Sequence, residues 1–360
     1  MPGWRFVRPS GAVADRVRDG PLLAPAAGRI LRAIRRARRA IARRVRPPRP
    51  RPVALVSPAP RPVVVTATPP VVEDPDRITG FLTGAPGEAP GADPPIVFDV
   101  ALLEELDTAY AERPLVPNPL AYDHDSLTNR STARLIAIHN VMDLANKRVL
   151  EFGCGHGYEV WLLSHAFGCD AVGVDIVERT PWPVLADDRT RFVLGDMSTD
   201  DLFGDASFDR IISINVLEHV ERPVAALEAL HRVLRPGGLA WISANLYRGP
   251  LASHRYREIR FPWPHLLFDD TVIAEFDRRH GRPPMGAVWV NKMTWEQYRA
   301  EIERIGFRIR RERLRETPLD EPFYRRFQER LGRYPLADLR RDFFEVVLER
   351  PAEGRRWRLR

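Results

Sequence analysis

Val149-Leu150-Glu151-Phe152-Gly153-Cys154-Gly155-His156-Gly157 writes a buried strand, an acid and a glycine turn into nine consecutive positions. Glycines at 153, 155 and 157 let the chain turn sharply from strand into helix, and let its backbone approach a ligand that a Cβ would hold off. The helix expected over 157–167 directs its free amide groups into the same crevice. A ligand with a sugar and a tail of main-chain size fits such a turn. A dinucleotide fingerprint, G-x-G-x-x-G with a pyrophosphate at the helix N-terminus, needs its third glycine at position 158. Tyr158 stands there, and Glu151 would set a negative charge near the pyrophosphate, so the motif suits a cationic ligand instead.

Further strands follow at regular intervals. Ala171-Val172-Gly173-Val174-Asp175 is an apolar strand ending in an acid, whose carboxylate can accept from two vicinal hydroxyls of a ribose. Arg191-Phe192-Val193-Leu194-Gly195-Asp196-Met197 ends in another, placed to accept from an exocyclic amine of a purine. Residues 207–214 read as a fourth strand running into Asn215-Val216-Leu217-Glu218-His219-Val220, and Leu234-Arg235-Pro236-Gly237-Gly238 stops a helix before a fifth strand at 239–243.

With these elements in place the chain resembles the class I S-adenosylmethionine-dependent methyltransferases of the small-molecule type, through the glycine turn, the "LEHV" after strand four and the "LRPGG" before strand five. The resemblance is strong over about residues 146–245 and loose elsewhere. It implies an α/β fold with a Rossmann-like seven-stranded sheet flanked by helices, and S-adenosylmethionine as cofactor. Residue by residue, it implies that Gly153, Gly155 and Gly157 line the methionine moiety, with Glu151 near its ammonium group. Asp175 and Ile176 would meet the ribose and its base, Asp196 and Met197 the adenine, and Asn215 and Val216 the pocket floor beside the sulfonium. The bland reading of such acids is that they cap helices or turns, and His219 reads more readily as a packed residue than as a base.

Methyl transfer from a sulfonium asks little of a protein beyond alignment and the exclusion of water, although a hydroxyl nucleophile must also lose its proton. Candidates for that base lie in residues 246–293, which are too long for a simple connection and read as a helical, aromatic lid inserted after strand five. The segment carries Tyr247, Tyr256, Phe261, Trp263, Phe268 and Trp289 among Arg248, Arg255, Arg257 and Arg260, with His254 and His265 as candidate general bases. Its aromatics either face the acceptor or form the lid's own small core, and the sequence leaves both open.

Two chemistries are disfavoured. Base-amino methylation calls for Asn or Asp, two prolines and an aromatic after strand four, where this chain has Asn215-Val216-Leu217-Glu218. Attack on a pyrimidine carbon calls for a cysteine nucleophile, but Cys154 lies in the cofactor turn and Cys169 just before strand two. The nine histidines show no H-x-x-x-H pairing, so no metal site is expected. Beyond the lid, Thr294 caps a helix over 295–305, Gly306 ends it, and strands over 307–314 and 343–348 form an antiparallel pair around a second helical insertion at 317–342. A helix over 101–111 and another over 132–144 are expected to cover the sheet and the cofactor mouth.

The two ends of the chain differ in charge. Residues 1–70 hold sixteen Arg against Asp15 and Asp19, a net of +14 within a chain total of +7, so the remainder carries −7. Lys147 and Lys292 are the only lysines, a pattern of coding bias rather than of selection at each site. Ile30, Ile34, Ala37, Ile41 and Val45 make one apolar stripe on a helix whose other faces carry arginines between 29 and 46. Such a helix suits an anionic membrane surface; nucleic acid would attract it too, and a solvated arm without a partner explains it as well. Residues 47–95 are proline-dense and read as an extended linker.

These observations predict a basic amphipathic segment and Pro-rich linker over 1–95, disordered as an arm, then the methyltransferase domain over 96–350 and a basic tail over 351–360. Two cysteines offer no disulfide framework, and no cleavable signal is read, so a cytoplasmic setting with peripheral contact at the inner membrane face is expected. The expected activity is methyl transfer to oxygen of a small molecule, a glycan or a lipid-linked saccharide. A quinone or natural-product O- or C-methyltransferase and a cofactor-sensing nucleic-acid-binding protein are the alternatives.

Overall fold

The computed structural model describes residues 67–69, 98–115, 123–252, 254–282 and 291–352. The amphipathic segment at 29–46, nearly all of the linker and most of the tail lie outside the described residues. Among those described, no helix is long and apolar enough to cross a membrane.

Seven strands form one sheet in the order β3-β2-β1-β4-β5-β7-β6: β1 (Arg148–Phe152), β2 (Asp170–Asp175), β3 (Thr190–Leu194), β4 (Phe208–Ile214), β5 (Leu234–Asn245), β6 (Arg308–Glu316) and β7 (Arg341–Glu349). The first five are parallel, and β7 runs antiparallel between β5 and β6. Parallel strands are covered on both faces and therefore read as near-continuous apolar runs. Here neighbouring residues go to opposite cores, as the period of two requires. Leu150, Val172 and Ile211 join a core with α5 (Pro223–Val233) and α8 (Trp295–Ile305). Val149, Ala171 and Ile212 join another with α2 (His124–Met142) and α3 (Tyr158–Phe167).

Boundaries differ from the sequence expectation where a cap or a register shift decides them. The helix expected from 132 starts at His124, because the Asp123 side chain accepts from Ser126 N at 2.9 Å and caps it there. The last parallel strand begins at Leu234, which pairs with Phe208 before an irregularity returns the ladder to Arg210↔Leu239. Thr294 caps α8 as expected, in a capping box completed by Gln297.

A third core lies off the sheet. Residues 246–282 contain the short helix α6 (Pro264–Leu267) and α7 (Asp270–Arg279), and residues 317–340 contain α9 (Glu321–Arg326), α10 (Gln328–Leu331) and α11 (Leu336–Arg340). Phe261, Trp263, Phe268 and Phe276 of the first segment pack with Phe323, Phe327 and Tyr334 of the second. Trp263 Nε1–H donates to Leu339 O at 3.0 Å, satisfying its polar edge inside this core. The helix near 101–111, expected over the sheet, is α1 (Val100–Ala109) and docks here instead, through Leu103 and Leu106. Buried Asp107 fixes it by accepting from Arg260 N at 3.0 Å and Arg260 Nη1 at 2.6 Å.

Candidate functional site

The turn after β1 is held by its own backbone and by β2. Gly153 N and Cys154 N both donate to Val174 O, at 2.8 and 3.1 Å. All three glycines have positive φ, of 75°, 49° and 85° in chain order, a region that costs other residues energy. A Cβ on Gly153 would fall inside the Val216 side chain, and one on Gly157 would lie 2.5 Å from Phe192 Cε1. Gly155 differs, since nothing stands within 4 Å of its Cβ position. The first and third glycines are thus demanded by packing, while the second borders open space. Gly157 is the N-cap of α3 and supplies no side-chain cap, leaving the first-turn amides open to a ligand. We expect Gly153→Ala to cost about 2–5 kcal/mol, from the left-handed conformation and the clash together, read as a drop in chemical-denaturation midpoint.

The acids stand at the strand tips around this turn. Glu151 is 4% exposed, and its Oε2 finds no hydrogen-bond donor among the described residues. Burial pushes its carboxyl well up, the Glu159 charge adds to this, and Arg134, paired with Glu159 at 3.2 Å, opposes it. Asp175 accepts from Gly155 N at 2.8 Å through Oδ2 and from Val177 N at 3.1 Å through Oδ1, tying the turn to β2. Asp196 shapes its own turn, accepting from Ser198 N at 2.8 Å while its amide donates to Asp200 Oδ2 at 2.9 Å. Met197 is buried, whereas Ile176 is 48% and Leu194 57% exposed, an uncovered apolar pair beside these acids. Leu194 was not singled out by the sequence, because an apolar residue at a strand end reads as core.

Trp182 is a further residue that sequence reasoning missed. Its Nε1–H donates to Gly155 O at 2.8 Å, and its ring stacks on Phe192 with centroids 5.1 Å apart. The indole therefore fixes the glycine turn from the side of α4 (Trp182–Leu185).

Beside β1 lies the tip of β4, paired to it through Phe152↔Ser213. Asn215 takes φ 56° and its amide donates to Ser243 O at 2.9 Å, so the chain leaves the strand at a sharp angle. Asn tolerates this conformation better than most residues. Val216 then packs on Gly153, and Leu217–His219 form a 3-10 turn. That turn rests on a buried polar network the sequence did not disclose. Asn245 Nδ2 donates to Glu218 Oε1 at 2.6 Å, Asn291 Nδ2 to Leu217 O at 2.7 Å, and Tyr298 Oη to Asn291 Oδ1 at 2.8 Å.

The two candidate bases are near this turn but differ in what they do. The His254 ring lies 6.0 Å from that of His219, and burial, with help from His219, Arg257 and His265, holds its imidazole down to about 4. His265 donates Nε2–H to Tyr247 O at 2.6 Å, which fixes its tautomer and leaves Nδ1 as the ring's basic nitrogen. Phe261, Trp263 and Phe268 belong to the third core and do not line this region, which decides between the two readings of the lid aromatics; Trp289 lies outside the described residues. Neither cysteine is poised as a nucleophile. Burial pushes both thiols up, Cys169 to about 11, and Cys169 Sγ donates to Leu144 O.

The acids at 151, 175 and 196 thus share one end of the sheet with the turn at 153–157 and the loop at 215–219. This is where a strand order reversing between β1 and β4 opens a crevice. Residues 126–282 match the family described as "Methyltransferase domain". An uncharacterized methyltransferase of Mycobacterium avium is 34% identical over 146 residues, covering 39% of this chain and 53% of the relative. A tRNA U34 carboxymethyltransferase of Pseudoalteromonas atlantica is 27% identical over 170 residues, covering 45% and 52%. Among solved structures, an S-adenosylmethionine dependent methyltransferase from Mesorhizobium loti is 21% identical with a TM-score of 0.40, over 61% of this chain and 96% of that one. The chain spans about half the length of the curated relatives it matches. The family match, together with the sheet order and the glycine turn with its ring of acids, identifies residues 126–282 as a methyltransferase domain.

Proposed function

We propose that the chain transfers a methyl group from S-adenosylmethionine to an oxygen of a small molecule, a glycan or a lipid-linked saccharide. The observation that carries the donor half is Glu151 Oε2, buried without a donor at the end of the strand that leads into the glycine turn, where Gly155 borders open space. A buried polar atom of that kind calls for a partner, and for a carboxylate the fitting partner is a cation. Glu151 would hold the ammonium group of the cofactor's tail, lined by the backbone at 153, 155 and 157. Asp175 would accept from the ribose hydroxyls while keeping its bonds to Gly155 and Val177. Ile176 and Met197 would flank the purine, and Asp196 would accept from its exocyclic amine. Asn215 and Val216 would floor the crevice between cofactor and acceptor.

When bound, S-adenosylmethionine supplies a methyl group already activated by its sulfonium. The protein is left with alignment, which can contribute up to roughly 7–11 kcal/mol, and with proton removal, for which a placed base gives about a hundredfold to ten-thousandfold. His254 is our candidate for the proton. Its ring is neutral across the physiological range, so a hydroxyl proton can pass to it without a prior deprotonation.

Acceptor chemistry is read from what stands by the β4 tip. His219, His254, Tyr256 and Arg257 form a polar surround, which supports a hydroxylated acceptor over a quinone. The burial of Phe261, Trp263 and Phe268 leaves Tyr247 and Tyr256 as the ring faces for a sugar. Incubation of the full chain with methyl-labelled S-adenosylmethionine and fractionated cell extract tests this. Label is expected in a saccharide or lipid-saccharide fraction. Label confined to ribonuclease-sensitive material, or to quinones, overturns the acceptor assignment.

A further inference from the structure

Seven arginines lie within the described part of residues 246–282, and six of them have a carboxylate. Arg248 meets Asp338 at 2.8 Å, Arg260 meets Asp107 at 2.6 Å, Arg255 and Arg282 share Asp277, and Arg278 and Arg279 share Glu275. Arg257 is the exception. Its guanidinium lies 5.7 Å from the Tyr256 ring centroid, and its buried Nε finds no acceptor among the described residues. Glu258, adjacent in sequence, lies closest to Arg255, at 3.9 Å, and feels the Arg257 charge only at longer range. An arginine stays charged at any physiological pH and offers a planar fork suited to oxyanions. A buried Nε without an acceptor, on the one arginine of the seven that meets no carboxylate of the described residues within 4 Å, costs desolvation that a ligand anion would offset.

The position of Arg257 says where such an anion would sit. Its charge is felt at His254, whose ring stands 6.0 Å from that of His219 on the loop leaving β4. Guanidinium, phenol ring and two imidazoles therefore form one run, with the Tyr256 ring 6.4 Å from that of His254, which ends at His219 on the turn that follows Asn215 and Val216. Asp175 is bonded into the glycine turn instead.

We propose that Arg257 is the anchor of an anionic subsite, so that the methyl acceptor carries a phosphate or carboxylate oxyanion next to its attacking oxygen. The proposal rests on the methyl-transfer reading above and narrows its substrate class to acidic acceptors. Histidine-selective NMR gives a second handle, because an anion at Arg257 shields His254 from the guanidinium and raises its imidazole from about 4.

The test uses the full chain saturated with S-adenosylhomocysteine and inorganic phosphate as the probe, with Arg257→Gln and Arg257→Lys variants and calorimetry of the cofactor alone alongside. A saturable phosphate response at the His254 resonance is expected, weakened about 10- to 100-fold in Arg257→Gln and partly kept in Arg257→Lys, at unchanged cofactor affinity. Absence of a saturable response, or equal responses in wild type and Arg257→Gln, overturns the subsite. So does a loss of cofactor affinity in Arg257→Gln, which would assign the guanidinium to the cofactor's own carboxylate. Failure of the cofactor to bind the wild-type chain at all would instead sink the methyl-transfer reading, so the two failures are separable.

Discussion

Asp175→Ala is expected to lose S-adenosylmethionine affinity by about a hundredfold or more while the protein stays folded. The carboxylate has two duties, and the variant removes both. It organises the turn by accepting from Gly155 N and Val177 N, and it would accept from the ribose. Hydrogen bonds to a charged group contribute about 1.5–3 kcal/mol each, so two lost ribose bonds account for the expected factor before the loosened turn is counted. Asp175→Asn separates the duties. Its amide group cannot accept at both oxygens' positions, so an intermediate loss is expected if organisation of the turn matters as much as the ribose. Calorimetry with S-adenosylmethionine and S-adenosylhomocysteine, beside denaturation curves, reads both quantities; wild-type affinity in Asp175→Ala would remove this residue from the site.

Glu151→Gln is expected to act on stability and binding in opposite directions. Burial, then the Glu159 charge, raises the Glu151 carboxyl well above its ordinary value. The folded apo protein therefore keeps a proton that the unfolded chain releases in the ordinary carboxylate range. Its stability is complete below that range and declines as pH rises through the window up to the raised value. Glutamine has no such proton, so the decline should be absent and the apo variant more stable at neutral pH than the wild type. Binding shows the reverse. A cationic tail favours the carboxylate and expels the proton, so wild-type affinity should rise with pH across the same window, with proton uptake by the buffer visible in calorimetry. The variant should bind about 2–4 kcal/mol more weakly at neutral pH and show a flat pH profile. A variant with unchanged affinity would remove Glu151 from contact with the ammonium group.

The parallel half of the sheet was legible because its signals are local. Strands buried on both faces read as apolar runs, and the acids that end them sit at the point where the chain must leave the sheet. The turn at 153–157 was readable for the same reason, since positive φ and close packing select glycine whatever surrounds them. What escaped depends on partners far along the chain. Asp107 and Arg260, which fix α1 to the third core, are 153 positions apart, and Tyr298 reaches the 3-10 turn at 217–219 through Asn291. The hydrogen bond from His265 Nε2–H to Tyr247 O, which fixes the tautomer of that ring, joins residues 18 positions apart and was equally hidden. The lid aromatics looked available for sugars because apolar rings beside arginines are compatible with a surface as well as with a core, and only the docking of residues 317–340 settles which.

The third core is sewn from three stretches of chain, α1, residues 246–282, which follow β5, and residues 317–340, which lie between β6 and β7. A body attached by so many strands of the same thread cannot swing like a door on one hinge. Amide protons within this core should therefore exchange only when all three stretches come apart as one. Transplanting acceptor preference between relatives would accordingly require all three pieces to be moved in a single graft.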